Sequence, residues 1–232
     1  MIPRKIHFVW LGSELPKLRA ALIGRCRALH PRLEVRVWGD REALALVTAM
    51  GTGLAQCLGQ SNLAFATQCD LVRYHVVAHE GGIYLDTDFL MLRPMEALRK
   101  ASFFAAYQEP GVLCNGVFGA VRGHPIFGRI FERLRGADYT LPPHLLAGPQ
   151  MFTPLCQETE QSDPAARLLA PPSFSPVHYE QKHDLNAWLA GDLSQTYGAH
   201  LWAHSWGGHG GDDSTALLVR VGAALLNPSG RG

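Results

Sequence analysis

Residues 80–88 read Glu80-Gly81-Gly82-Ile83-Tyr84-Leu85-Asp86-Thr87-Asp88, and no other stretch limits the fold as strongly. A helical pattern meets two glycines, then a short apolar run, then two carboxylates one residue apart. That order predicts a helix, a tight reversal and a buried strand. On a continuing strand, period-two alternation points Asp86 and Asp88 the same way. Two carboxylates leaving a buried strand repel each other and are costly to desolvate unless a cation or donors lie between them. A hard divalent cation, Mn2+ or Mg2+, suits such oxygen ligands and usually brings phosphate oxygens with it. The triplet alone describes a solvated acidic strand end equally well.

The rest of the chain alternates strands and helices. Residues 6–11 form a short β-rich run ending at Gly12, and 33–38 alternate as a second strand. Between them, 18–29 has helical spacing, with Arg19, Arg25 and Arg27 on its wet side, and stops before Pro31. Asp40 is placed to cap a helix over 41–50, which Gly51-Thr52-Gly53 breaks. Ser61 or Asn62 is placed to cap a long helix over 63–80, bearing Asp70, Arg73 and Val77 near one face. Short strands are expected at 83–85, 89–92, 102–107 and 117–121, a helix at 126–134, and another at 150–156 after Gly148-Pro149. The stretch 142–176 is rich in proline, and the tail at 207–211 and 229–232 in glycine. The alternation predicts an α/β architecture with a mostly parallel central sheet flanked by helices. Ligands of such sheets bind beyond the carboxyl ends of strands, where both Trp10-Leu11-Gly12 and Asp86-Thr87-Asp88 fall.

At 232 residues, one domain over 1–232 is the simplest organisation. A net charge of +1 with scattered acids and bases argues against a nucleic-acid partner. Five cysteines without paired spacing form neither a disulfide framework nor a zinc ribbon, and read as reduced, buried thiols. Neither a signal peptide nor an apolar run long enough to span a bilayer is visible. The expectation is therefore a cytoplasmic enzyme or excised catalytic domain, without an integral membrane segment but open to peripheral membrane association.

The run Asp70-x-x-Arg73-Tyr74 through Gly81-Gly82-Ile83-Tyr84-Leu85-Asp86-Thr87-Asp88 resembles the signature of glycosyltransferase family 32. That family includes mannosyltransferases and bacterial capsular polysaccharide transferases, and the catalytic domains of large glucosylating toxins look similar. The likeness also touches His7-Phe8-Val9-Trp10-Leu11-Gly12 and Tyr197 to Trp206, and is nearly silent over 137–195, where acceptor specificity is expected. It implies a GT-A-type nucleotide-sugar-binding fold and transfer with retention of anomeric configuration: a hexose moves from a UDP- or GDP-sugar to a saccharide, protein or small-molecule acceptor.

The resemblance also implies roles. Asp88 binds the metal directly, and Asp86 binds metal, ribose or sugar. Asp70 and Arg73 face the donor, a job that suits the planar donors of arginine. Those four are the implied catalytic set. Trp10 stacks on the nucleobase beside Leu11, with Tyr74 nearby in the donor site. His200 is the third metal ligand, with His204 and His209 as rivals, and Trp202 or Trp206 contacts the diphosphate. Asn115 fits a position near the sugar or acceptor, although Asn-Gly is also a strong hairpin signal. Gly148-Pro149 reads as structural and near the acceptor. By themselves, Asp70 and Arg73 also describe a surface ion pair of little energetic weight. Two other readings compete: a non-catalytic nucleotide-sugar-binding module, and an Asp-x-Asp phosphatase in which the first aspartate is the nucleophile. A glycoside hydrolase needs carboxylates on both sides of the scissile bond, and adjacent residues on one strand are poorly placed for that.

Overall fold

The computed structural model describes residues 1–59, 63–190, 193–202 and 219–223. In chain order it contains β1 (Lys5–Val9), α1 (Lys17–Leu29), β2 (Glu34–Trp38), α2 (Asp40–Ala49), α3 (Phe65–Glu80), β3 (Gly82–Leu85) and β4 (Phe89–Met91). Then follow β5 (Phe103–Glu109), β6 (Val112–Ala120), α4 (Ile126–Arg135), α5 (Pro143–Leu146), α6 (Pro149–Ser162), β7 (Arg167–Leu169), α7 (Leu185–Ala190) and β8 (Gly198–His200). The central sheet has six strands in the order β2-β1-β3-β6-β5-β7. β1 runs parallel to β2 and β3, and β5 parallel to β7, whereas β6 is antiparallel to both of its neighbours. Five of the six strands thus share a direction, as expected. β4 and β8 form a separate two-stranded antiparallel sheet.

Period-two alternation divides the core between the two faces of the large sheet. Val9, Tyr84, Phe103, Phe118 and Ala120 pack on one side, against Leu71, Val72 and Val76 of α3, Ile130 of α4 and Phe152 of α6. Ile6, Phe8, Ile83, Leu85, Phe104 and Val117 point the other way, onto Ile23 and Cys26 of α1 and Phe89 and Met91 of β4. Every residue of β3 is buried, and α3 is enclosed from Thr67 to Ala78 except at its partly covered Cys69. This helix therefore lies inside the molecule.

The double glycine links α3 to β3 for a steric reason. Gly81 has φ +64° and donates its N–H to the Val77 carbonyl (2.9 Å), ending the helix. A Cβ on Gly81 would lie 2.7 Å from the Arg122 nitrogen, and one on Gly82, at φ +104°, 2.8 Å from the Lys5 oxygen. Only glycine suits both positions.

Several local expectations change. Asp40 is the first helical residue of α2 and not its cap, which is Gly39. The Asp40 carboxylate is drawn instead to the Gly12 N–H (3.0 and 3.1 Å). Asn115 lies inside β6, and the β5–β6 reversal is made at Pro110-Gly111. α6 begins at Pro149 as expected but runs on to Ser162. Ser61 and Asn62 lie outside the described residues, and Ala64 precedes α3 without a side-chain cap. All five cysteines are free, four buried and Cys69 partly so. Among the described residues, no helix is long and apolar enough to cross a membrane.

Candidate active site

β1 and β3 end at the same edge of the sheet, and β6 begins there. Asp86 and Asp88 do not continue β3 as a strand. They sit in the turn between β3 and β4, closed by the Phe89 N–H on the Asp86 carbonyl (3.3 Å). The two carboxylates still converge, by a turn and not by strand alternation. Ligand atoms of Asp86, Asp88 and His200 all lie within 4.8 Å of one another. His200 arrives at the end of β8, whose pairing with β4 sets Phe89 opposite His200. The two rings stack at 4.4 Å and 15°.

One half of the site is a closed hydrogen-bonded cluster around Arg73. Its guanidinium meets Asp70 (3.1 Å) and Asp86 (3.0 Å) and donates to the Asn115 carbonyl (2.8 Å). The Asn115 amide donates to Asp70 (2.8 Å), and the Tyr84 hydroxyl donates to Asp86 (2.6 Å). The Asp70 and Arg73 side chains are only 4% and 8% exposed, so this is no surface ion pair. Gly116 lies directly beneath Asp86, where a Cβ would come within 2.6 Å of the carboxylate oxygen. Tyr74 stands behind the cluster. It is fully buried, and its hydroxyl donates to the Ala147 carbonyl (2.7 Å) and accepts from Asn115 (3.3 Å). A direct donor contact from Tyr74 is therefore not part of this geometry, and its place is that of a support for Asn115. The same Ala147 carbonyl brings the Gly148-Pro149 corner to the cluster's edge.

The other half is looser. Asp88 faces His200 Nε2 through one oxygen (3.4 Å) and Arg19 through the other (3.7 Å). Arg19 is buried on α1, contrary to the wet face expected of it. Arg25, on the same helix, donates to the Met91 carbonyl (2.5 Å). The β4–β8 sheet lies over this side of α1. His200 Nδ1 faces the Cys114 thiol at 3.8 Å, and Trp202 packs on the His200 ring at 4.0 Å. The Trp202 backbone has φ +52°, a rare conformation for a bulky residue. Its indole N–H points at the Val177 carbonyl (3.4 Å), which occupies the donor expected to meet a diphosphate. Trp206, His204 and His209 lie outside the described residues.

Trp10 leaves β1 half-buried, its indole N–H on the Ser13 hydroxyl (3.2 Å), and Leu11 packs against the core. The space over Gly12 is taken by the ring of Phe65, which is 59% exposed. An aromatic that sequence reasoning missed thus stands beside the Trp10-Leu11-Gly12 corner.

The electrostatics separate the two halves. Burial pushes the Asp70 carboxyl up to about 7, with Arg73 pulling it down. Asp86 is also raised, again by burial first, against the pull of Arg73. Burial opposes the charge on Arg73 too, but Asp86, Tyr84 and Asp70 hold it well above its usual value. For Asp88, burial is outweighed by His200 and then Arg19, which hold the carboxyl at about 2. Burial likewise disfavours charge on His200, but Asp88 raises it to about 10. Three carboxyl groups thus share two guanidiniums and one imidazole, and only the Asp88–His200 pair is held firmly in its charged form.

That charge pattern tests whether a cation fits. Atoms that share an ion at about 2.1 Å lie roughly 3 Å apart when adjacent in its shell, close to the Asp88–His200 spacing. Two carboxylates and an imidazole form an oxygen-rich set suited to Mn2+ or Mg2+. A divalent ion that replaced the His200 proton would add one positive charge to the site, which suits an anionic diphosphate.

Residues 16–105 match the family described as a glycosyltransferase sugar-binding region containing a DXD motif. That span holds Arg19, Asp70, Arg73, Asp86 and Asp88, but not Trp10, Asn115 or His200. Over 228 residues the chain is 26% identical to inositol phosphoceramide mannosyltransferase 1 of Schizosaccharomyces pombe, covering 94% of this chain and 66% of that protein. To inositol phosphoceramide mannosyltransferase 3 of the same yeast it is 29% identical over 135 residues, covering 57% of this chain and 37% of the relative. It thus spans just under two thirds of the length of one curated relative and little more than a third of the other. Among solved structures, PaToxG glycosyltransferase superposes with a TM-score of 0.52 at 19% identity, covering 70% of this chain and 71% of that one. Residues 16–105 of this chain thus resemble the glycosyltransferase family defined by a DXD-containing sugar-binding region, and the fold is of the GT-A type.

Proposed function

We propose that this chain is a metal-dependent glycosyltransferase, working as one unit, that moves a hexose from a nucleoside diphosphate sugar to an acceptor hydroxyl. One observation carries the reading: the Asp86–Asp88–His200 cluster and the Asp70–Arg73–Asn115 cluster share a single sheet edge. Asp86, Asp88 and His200 are the residues that hold Mn2+ or Mg2+. An ion held there would supply positive charge against a departing diphosphate. Arg19, on the far side of Asp88, adds a fixed positive charge facing the same region, where leaving-group charge develops.

Asp70 and Arg73 bind the hydroxyls of the transferred sugar, and Asn115 holds Asp70 in place. Trp10 and Phe65 offer aromatic faces to the base, uracil or guanine. The two curated yeast relatives above are named mannosyltransferases, which makes a mannosyl donor the first to test. Retention at the anomeric carbon follows from the family resemblance, and the anomer of the product, read by NMR, decides it. The acceptor class (saccharide, protein or small molecule) and a cytoplasmic location belong to the same proposal.

A phosphatase fits less well. Its first aspartate must be a free nucleophile, whereas Asp86 is engaged by Tyr84 and Arg73 and pressed onto Gly116. Nucleotide release from a panel of UDP- and GDP-hexoses, with and without Mn2+, tests the reading. The expected result is metal-dependent release from one donor, lowered about a thousandfold by Asp88→Ala. Nucleotide-sugar binding without any release would make the chain a binding module instead.

A further inference from the structure

Two neighbouring residues of β6 serve opposite halves of the site. The Asn115 amide reaches Asp70, whereas Cys114 lies on the other face of the sheet, among the side chains packed on α1 and β4. The pairing of β5 with β6 is irregular at this point: Ala105 lies opposite Phe118, but Ala106 lies opposite Cys114. A bulge of this kind re-aims side chains and is found beside sites. Here Cys114 is buried, its sulfur accepts the Gly116 N–H (3.3 Å), and it faces His200 Nδ1 (3.8 Å).

The His200 ring is held by its faces and by its edge, and the two do different things. Phe89 stacks on it at 4.4 Å and 15°, and Trp202 packs on it at 4.0 Å and 31°. The backbone N–H of His200 is fixed on the Phe174 carbonyl (2.9 Å). Stacking restrains the plane of the ring. It does not choose the edge, because a half-turn about the Cβ–Cγ bond presents the same plane with ring carbons where both nitrogens now lie. That choice falls to the groups at the two nitrogens: Asp88 at Nε2 (3.4 Å) and Cys114 at Nδ1.

We propose that Cys114 is the positioning residue of His200: its sulfur accepts the Nδ1 proton and keeps Nε2 turned toward Asp88 and a bound divalent cation. This rests on the metal-dependent reading above. Nδ1 carries its proton with and without an ion. In the ion-free protein, burial opposes charge on His200 but Asp88 outweighs it, so both ring nitrogens are protonated. When Nε2 ligates an ion the imidazole is neutral, and its one proton stays on Nδ1. A metal-bound histidine almost always donates that second N–H to an acceptor, and losing the acceptor costs about tenfold to a hundredfold in affinity. Cys114 is not itself a ligand, since it stands on the Nδ1 side of the ring, outside the Asp86–Asp88–His200 group. Sulfur is a weak acceptor, so the contact sets orientation more than stability.

Two readouts on the full chain test the proposal. One is the His200 Nδ1–H resonance in nitrogen-labelled histidine NMR of the ion-free protein, assigned by its loss in His200→Ala. The other is Mn2+ affinity, read by EPR. The wild type should show an Nδ1 proton that exchanges slowly. Cys114→Ala should speed that exchange and weaken Mn2+ binding about tenfold or more, and Cys114→Ser, which keeps an acceptor, should recover most of both. An Nδ1 proton equally protected in Cys114→Ala, or Mn2+ bound as tightly by that variant, overturns the proposal. Equal losses in the alanine and serine variants reduce Cys114 to packing and overturn it as well. A wild type that binds no Mn2+ defeats the metal-dependent reading and the cation half of this one, while the Nδ1 resonance still decides the Cys114–His200 contact.

Discussion

The two halves of the site are built differently. The Asp70–Arg73–Asp86–Asn115 half sits on one enclosed helix and two central strands, and each of its four side chains has a named partner within 3.1 Å. The Asp88–His200 half rests on a turn and a two-stranded sheet of three-residue strands, and its contacts open to 3.4 and 3.7 Å. The first half is preorganised: its cost of ordering is met during folding, so a donor sugar finds its partners in place. The second leaves room for an ion to draw its ligands closer. Truncations should therefore cost fold stability in the first half and ion affinity in the second.

The sharpest way to break this contrast is Arg73→Ala, which strands Asp70 and Asp86 without their cation. A loss of about 3–5 kcal/mol is expected in denaturant unfolding, as for other broken buried ion pairs. An unfolding midpoint within experimental error of wild type would mean that the first half is no scaffold.

Acid unfolding probes the same packed region. His7, which accepts from Trp38, and His75, which bridges Thr52 and the Leu71 carbonyl, are both held neutral at about 4, chiefly by burial. A depressed folded pKa adds stability above the unfolded value of about 6.5, and that stability is lost as pH falls through the folded value. Each group contributes on the order of 3 kcal/mol to a loss of stability from pH 6.5 to 4, read as a falling melting temperature and partly offset by the raised Asp70 carboxyl, which takes up its proton in the folded state over the same window. His75→Gln should flatten part of that slope.

Gly116→Ala comes next in size. The added methyl would meet the Asp86 carboxylate, so Asp86 must shift away from Arg73 or β6 must move. A destabilisation of about 1–3 kcal/mol is expected, together with a loss of turnover larger than that of Gly128→Ala, where nothing lies within 4 Å of the new carbon.

The smallest effect sharpens the second half. Below its raised pKa of about 10, His200 carries a proton that an incoming ion must displace. Ion affinity should therefore rise with pH, about tenfold per unit, with one proton released per ion bound. A pH-independent affinity would remove His200 from the ligand set.

How far the sequence revealed this site follows from the range of the interactions. The Asp70, Arg73, Asp86 and Asp88 spacing was readable because one helix, one reversal and one turn bring these residues together. Tyr84 was within reach of the same reasoning, since it stands two residues before Asp86. Arg19 was not. Its helical position looks wet until β8, more than 150 residues later, pairs with β4 and closes over α1. The hairpin reading of Asn115 fails for a related reason. Asn-Gly is a hairpin signal only when no neighbouring strands claim it, and here β3 and β5 flank β6 on both sides. The mostly parallel sheet was legible from the alternation of elements, whereas the reversed β6 depends on long-range pairing that no local pattern announces.

The central claim, that Asp86, Asp88 and His200 form a cation site beside a prebuilt sugar cluster, is most directly tested by titrating Mn2+ into the wild type, Asp88→Asn and His200→Ala and reading free Mn2+ by EPR. The account predicts one ion per chain, with affinity reduced about a hundredfold or more in each variant while the unfolding midpoint changes far less than in Arg73→Ala. A wild type that binds no Mn2+, or variants that bind it as tightly, would contradict the account.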